Sequence, residues 1–160
     1  VLRVVGISEM YVSCDPSDTI ITYSLGSCLG VVAYDPAMKV GGMLHCMLPL
    51  SKIDPAKAQS KPCMFTDTGV PLLLQELFNR GARRSNLVLK VAGAASLLDE
   101  QGLFKIGERN YTVLRKVLWK NSILIAAEDV AGTVSRTVSL YMDTGRTTIK
   151  ASAGKEVELK

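Results

Sequence analysis

The sequence predicts an α/β fold, a single-domain layered α/β sandwich with mainly antiparallel or mixed sheets and two principal helices. Three observations lead there. Two segments carry apolar residues at helical spacing, about seven others are short β-branched-rich runs, and hairpin turns rather than long crossovers join several of them. With 160 residues, 48% of them apolar and 21% charged, the chain is long enough to bury roughly 70% of its unfolded surface around one core. One domain spanning residues 1–160 is therefore expected.

In chain order, Val1–Ser13 alternates well enough for a strand until Asp15-Pro16-Ser17-Asp18 breaks it, and Thr19–Ser24 begins another. Leu29–Tyr34 and Val40–Leu48 are apolar runs joined by Asp35-Pro36-Ala37-Met38-Lys39, an antiparallel hairpin closed at Pro49. Ser51–Thr66, with Pro55, Pro62 and three lysines, has the composition of an exposed loop. Its length suits a lid or binding loop, and it follows His45 closely. Asp67–Arg80 is the clearest helix: Val70, Leu73, Leu74, Leu77 and Phe78 form one face, Thr66 or Asp67 can cap the start, and Gly81 ends it.

Asn86–Ala92 reads as the next strand, followed by the small residues Gly93-Ala94-Ala95-Ser96, and Leu97–Ile106 is ambiguous. Gly107–Lys120 is the second helix, with Tyr111, Val113, Leu114, Val117 and Leu118 apolar and Asn121 just past its end. Ile123–Val130, Thr133–Met142 and Arg146–Ser152 are strands, the last two joined by the turn Asp143-Thr144-Gly145.

Composition narrows the function. Cys14, Cys28, Cys46 and Cys63 contain no CxxC pair, and His45 is the only histidine, so neither a zinc pattern nor a site needing two imidazoles is available within one chain. No metal is expected. The net charge of +4 arises in the last third: nine basic and nine acidic residues run through Phe104, against ten and six from Lys105 onward. Basic residues do not cluster among aromatics, so no nucleic-acid partner is expected, although a mildly basic face suits an acidic one. The uncharged run Thr19–Tyr34 is short for a membrane span and its Gly, Ser and Thr suit a buried sheet, so no direct membrane insertion is expected. Nothing at Val1 resembles a basic segment leading an apolar one; the expected location is cytoplasmic, with the cysteines as free thiols.

The hairpin suggests chemistry. With a loop of just Pro36-Ala37, Asp35 faces Met38 and Cys28 comes opposite His45, a separation of about 4.5–5.5 Å between Cβ atoms. A loop one residue longer would pair Cys28 with Cys46 and turn His45 to the other face. A thiol of ordinary pKa needs a neighbouring base to become a nucleophile, and after attack on a carbonyl carbon the same imidazole can protonate a leaving nitrogen. Gly26-Ser27-Cys28 offers consecutive backbone N–H groups and a hydroxyl, at a glycine that permits an unusual bend, for a developing oxyanion. Thr22 supplies a hydroxyl able to orient His45. The plain alternatives are a buried inert cysteine, a packed core histidine, a threonine kept for strand propensity, a bulge at Gly41-Gly42 and a cap at Asp67.

The run Thr22-x-x-Leu25-Gly26-Ser27-Cys28, followed by Gly41-Gly42-Met43-x-His45-x-Met47-Leu48-Pro49, resembles the CheD family of chemoreceptor glutamine deamidases. The likeness continues through Val5-Gly6-Ile7-Ser8-Glu9-Met10, Thr66-Asp67, Arg80-Gly81-Ala82, Ile106-Gly107-Glu108-Arg109-Asn110, Ala127-Glu128-Asp129-Val130, Ser135-Arg136 and Asp143-Thr144-Gly145. The resemblance implies a cofactor-free cysteine hydrolase with an α/β sandwich related to bacterial toxin deamidases. It would convert selected glutamines of methyl-accepting chemotaxis receptors to glutamate and ammonia. By match to the motif, Cys28 would be the nucleophile, His45 the acid/base and Thr22 the group orienting His45. A CheC-like phosphatase partner and receptor methylesterase activity are also associated with members of the family. Two glycine runs depart from the family pattern: Val91-Ala92-Gly93-Ala94-Ala95 stands for the usual Phe-Gly-Gly-Ala, and Ala131-Gly132-Thr133-Val134-Ser135 for the Gly-Gly before the late arginine.

Two rival functions accompany this reading. One is a non-catalytic adaptor that regulates a CheC-like phosphatase or a receptor by binding. The other is a thiol protease or transamidase; peptide-bond cleavage would produce fragments, where deamidation leaves chain length unchanged.

Overall fold

The computed structural model describes residues 1–96 and 105–160. The ambiguous stretch after Ser96 lies outside the described residues as far as position 104. The first sheet contains β1 (Leu2–Val4), β3 (Thr19–Leu25), β8 (Arg136–Tyr141), β9 (Arg146–Ala151) and β10 (Glu156–Glu158), in that order. The second runs β2 (Glu9–Ser13), β5 (Val40–Cys46), β4 (Leu29–Asp35), β6 (Val88–Gly93) and β7 (Ile125–Val130). Two pairings, β1 with β3 and β6 with β7, are parallel and the rest antiparallel. The expected α/β sandwich of mixed sheets is what forms.

Every residue of β4 and β5 is buried, because this sheet is covered on both faces. On one face Leu29, Val31, Ala33, Leu44 and Cys46 pack with Leu73, Leu77, Leu114 and Leu118 of α2 (Thr66–Asn79) and α3 (Ile106–Lys120). On the other, Val32, Tyr34 and Met43 meet Ile20, Leu25, Val138 and Leu140 of the first sheet. The layers are thus sheet, sheet and helices. Each leucine taken fully from water contributes about 1.5–3 kcal/mol, so the two central strands anchor both interfaces.

Four expectations need correcting. Val1–Ser13 is not one strand: β1 and β2 lie in different sheets, with the left-handed Ser8 (φ 64°) turning the chain between them. The hairpin loop is longer than Pro36-Ala37, since Asp35 pairs with Val40. The cause is the Asp35 carboxylate, which accepts from the backbone N–H groups of Ala37 and Met38 at 2.9 and 3.0 Å, while Lys39 N–H closes on the Asp35 carbonyl. A side chain that caps its own turn in this way stabilises a wider loop than a two-residue turn. Asp35 is fully buried; burial pushes its carboxyl up, but the N–H donors of Arg83, Met38 and Ala37 and the Asn86 amide outweigh it and hold it below its usual value.

The third correction concerns Ser51–Thr66, which is not irregular. It forms 3₁₀ turns at Ser51–Ile53 and Pro62–Met64 around α1 (Pro55–Ser60). Asp54 caps α1 by accepting from Lys57 N–H, and both Pro55 and Pro62 occupy first-turn positions, where a missing N–H costs nothing. Fourth, neither Thr66 nor Asp67 caps α2: Phe65 is the capping position and makes no side-chain bond. The Asp67 carboxylate instead accepts from the backbone N–H and hydroxyl of Ser51, each at 2.9 Å, tying the inserted turns to the helix. The short β10 had no counterpart in the sequence reading.

Candidate functional site

The register places His45 directly opposite Gly30 and Leu29 opposite Cys46. Cys28 immediately precedes β4 and packs on the cluster between the sheets, the face on which His45 also lies. The direct opposition of Cys28 and His45 is therefore corrected to a diagonal one, typically about 7–8 Å between positions. The longer loop shifts the pairing by two residues relative to the expected register, and an even shift keeps both side chains on one face. Cys46, the alternative partner, points to the helices, 3.5 Å from the Thr66 hydroxyl.

Thr22 comes from the other sheet. Its Oγ1 lies 2.7 Å from His45 Nδ1 and 2.7 Å from the Val5 carbonyl oxygen. A carbonyl only accepts, so the single hydroxyl proton goes to Val5 and Oγ1 accepts from Nδ1–H. That fixes the tautomer with the lone pair on Nε2. Nε2 is buried and has no hydrogen-bond partner among the described residues. An unpaired buried nitrogen of this kind costs about 1–3 kcal/mol.

Burial sets the charges. His45 is 1% exposed, and desolvation pushes its pKa down to about 4. Burial raises the Cys28 thiol, opposed by a hydrogen bond from its own backbone N–H. At neutral pH the resting pair is thus thiol and neutral imidazole, so a proton would leave sulfur as attack begins rather than beforehand.

The segment Gly26–Cys28 is held by its carbonyls. Ala95 N–H donates to the Gly26 carbonyl and Ala94 N–H to the Cys28 carbonyl, both at 2.9 Å. Gly93 permits this approach: its φ is +106°, and a Cβ there would collide with the Cys28 carbonyl oxygen. Arg136, which is 5% exposed and paired with Asp129 at 3.3 Å, donates to the Gly93 and Ala131 carbonyls behind it. The bend expected at Gly26 is displaced: Gly26 has no positive φ, and the left-handed residue is Ser24 (φ 57°), where the β3–β8 register shifts.

Asn110 was missed as a site residue by the sequence reading. Its Nδ2 donates to the carbonyls of Ser27 and Met47, each at 3.0 Å, joining the chain before Cys28 to the chain after His45. The signal was present: Gly107, Asn110, Leu114 and Leu118 are the buried stripe of α3, and an amide on an apolar stripe needs partners.

Among the described residues no group of three or more His, Cys, Asp or Glu side chains is placed to hold a metal, and all four cysteines are free. No helix of the described residues is long and apolar enough to cross a membrane.

Residues 47–151 match the family described as CheD chemotactic sensory transduction. That stretch begins just after His45, so the match does not depend on Thr22, Cys28 or His45. A protein of Solibacter usitatus named "Probable chemoreceptor glutamine deamidase CheD" is 49% identical over 98% of this chain and 92% of its own. One of Syntrophus aciditrophicus, "Probable chemoreceptor glutamine deamidase CheD 1", is 46% identical over 98% of both chains. The Thermotoga maritima "Chemoreceptor glutamine deamidase CheD" is 38% identical over 99% of this chain and 98% of its own. Among solved structures, a Neisseria meningitidis DUF152 protein gives a TM-score of 0.44 at 10% identity, covering 82% of this chain and 63% of that one, too weak a likeness to carry an argument.

Proposed function

The chain belongs to the CheD family, and on that footing we propose that it hydrolyses selected glutamine side chains of methyl-accepting chemotaxis receptors to glutamate and ammonia. The observation that carries the reading is the free Nε2 of His45, buried on the face that Cys28 shares, with Nδ1 held by Thr22.

In this reading His45 Nε2 takes the thiol proton as the Cys28 sulfur attacks the carboxamide carbon. The oxyanion forms beside the backbone N–H groups of Ser27 and Cys28 and the Ser27 hydroxyl, with Gly26 leading into the bend. Collapse of the tetrahedral species sends the proton from Nε2 to departing ammonia and leaves a thioester. His45 then takes a proton from water as it attacks the thioester, and returns it to the leaving thiolate. No step needs a cofactor.

The reading puts the reaction in the cytoplasm, in keeping with four free thiols. Its finer form includes a CheC-like phosphatase as a second partner, supported by the family resemblance alone. Purified protein incubated with receptor cytoplasmic fragments is expected to give the mass change of amide-to-acid conversion at particular glutamines, and none with Cys28→Ala. Equal conversion by Cys28→Ala would remove the mechanism. Fragment cleavage instead would favour a protease.

A further inference from the structure

We propose that Asn110 is a positioning residue that aims the oxyanion donor by holding the Ser27 carbonyl. The inference deepens the proposed hydrolysis and rests on that reading of Cys28 as nucleophile.

The argument is geometric. The peptide bonds of the described residues are trans, and in a trans peptide the C=O of one residue and the N–H of the next point in opposite directions in one plane. Fixing a carbonyl therefore fixes the amide that follows it. Ser27 C=O is held by Asn110 Nδ2, which turns the Cys28 N–H to the opposite side. The sulfur is carried by the same residue, three covalent bonds from that nitrogen, so the Cys28 N–H stays beside it. The nucleophile's own N–H is a donor well placed for a tetrahedral intermediate, because the new bond holds the oxyanion next to it. The Gly26 carbonyl, held by Ala95 N–H, fixes the Ser27 N–H in the same way.

Asn110 is suited to the task. It is fully buried, and its two N–H bonds go to different arms of the site, Ser27 and Met47. Its Oδ1 accepts from the Thr66 hydroxyl, which shares its proton with the Leu48 carbonyl, so the orientation of the carboxamide is itself set. Without those donors the Ser27 carbonyl would seek another partner and carry the Cys28 N–H with it.

The test separates two reactions of one sulfur. Acylation of Cys28 by p-nitrophenyl acetate passes through an oxyanion, whereas alkylation by iodoacetamide displaces iodide and forms none. For Asn110→Ala, with folding checked by thermal unfolding, acylation is expected to slow at least about tenfold, toward the ~10²-fold that loss of an oxyanion donor costs, with alkylation unchanged. Thr66→Val, which frees the carboxamide without removing it, is expected to move the ratio the same way by less, and it decides the matter where the alanine variant does not fold. Parallel slowing of both reactions, or an unchanged ratio, would overturn the inference. Because neither reagent contains a receptor glutamine, a wild-type protein that acylates normally yet leaves receptor fragments intact would refute the substrate reading alone.

Discussion

Thr22 and His45 belong to opposite sheets, and their 2.7 Å contact is a hydrogen bond made across the sandwich. It settles which imidazole nitrogen holds the proton. Thr22→Val leaves Nδ1–H without an acceptor and the Val5 carbonyl without a donor, in a shape almost unchanged. On the proposed mechanism turnover is expected to fall by about 10–10² with little change in KM, since His45 is misoriented and not removed. Thr22→Ser is expected to retain most of the activity. Steady-state rates on receptor fragments for both variants check this.

The depressed pKa of His45 has a stability consequence. Its folded value is about 4 against an ordinary 6.5. The contribution is fully present above 6.5; as pH falls from there to 4 the unfolded chain takes up a proton that the folded one refuses. Stability is expected to drop by about 3 kcal/mol across that window from this residue. Denaturant unfolding of wild type and His45→Gln at pH 7 and pH 4.5 measures the difference, and the glutamine variant should show a shallower decline.

Burial lifts the Cys28 thiol, so it stays protonated at neutral pH unless a base intervenes. Iodoacetamide labelling of Cys28 is expected to keep accelerating beyond pH 9. At pH 7 labelling in His45→Gln should be slower than in wild type. A labelling rate that levels off near pH 6 would instead show a preformed ion pair.

The strap Gly93-Ala94-Ala95 makes opposite predictions at adjacent positions. Gly93→Ala drives a Cβ into the Cys28 carbonyl, and is expected to cost about 3 kcal/mol or more, or to displace the loop that carries Cys28. Ala94 sits at φ 54°, in the left-handed region that favours glycine. Ala94→Gly should stabilise by about 1 kcal/mol. Thermal midpoints of the two variants would move in opposite directions.

What the sequence made legible follows from locality. The face of α2 could be read from spacing because Val70, Leu73, Leu74 and Leu77 meet one sheet at helical intervals. That Cys28 and His45 lie toward one face of the sheet could be read because one hairpin carries both, and the register error spared it because the shift was even. The division of Val1–Ser13 between sheets could not be read, because alternation marks a strand without saying which neighbour it takes. Nor could the pairing of Asn110 with Ser27, a contact between residues 83 apart that no periodicity encodes.

The grip of Thr22 on His45 makes the two sheets partners in holding one ring. A small slide of one layer over the other would release the imidazole while both layers kept their internal ladders. Activity should therefore vanish at lower denaturant or pressure than β-structure does, making turnover the more sensitive gauge of how the layers are seated.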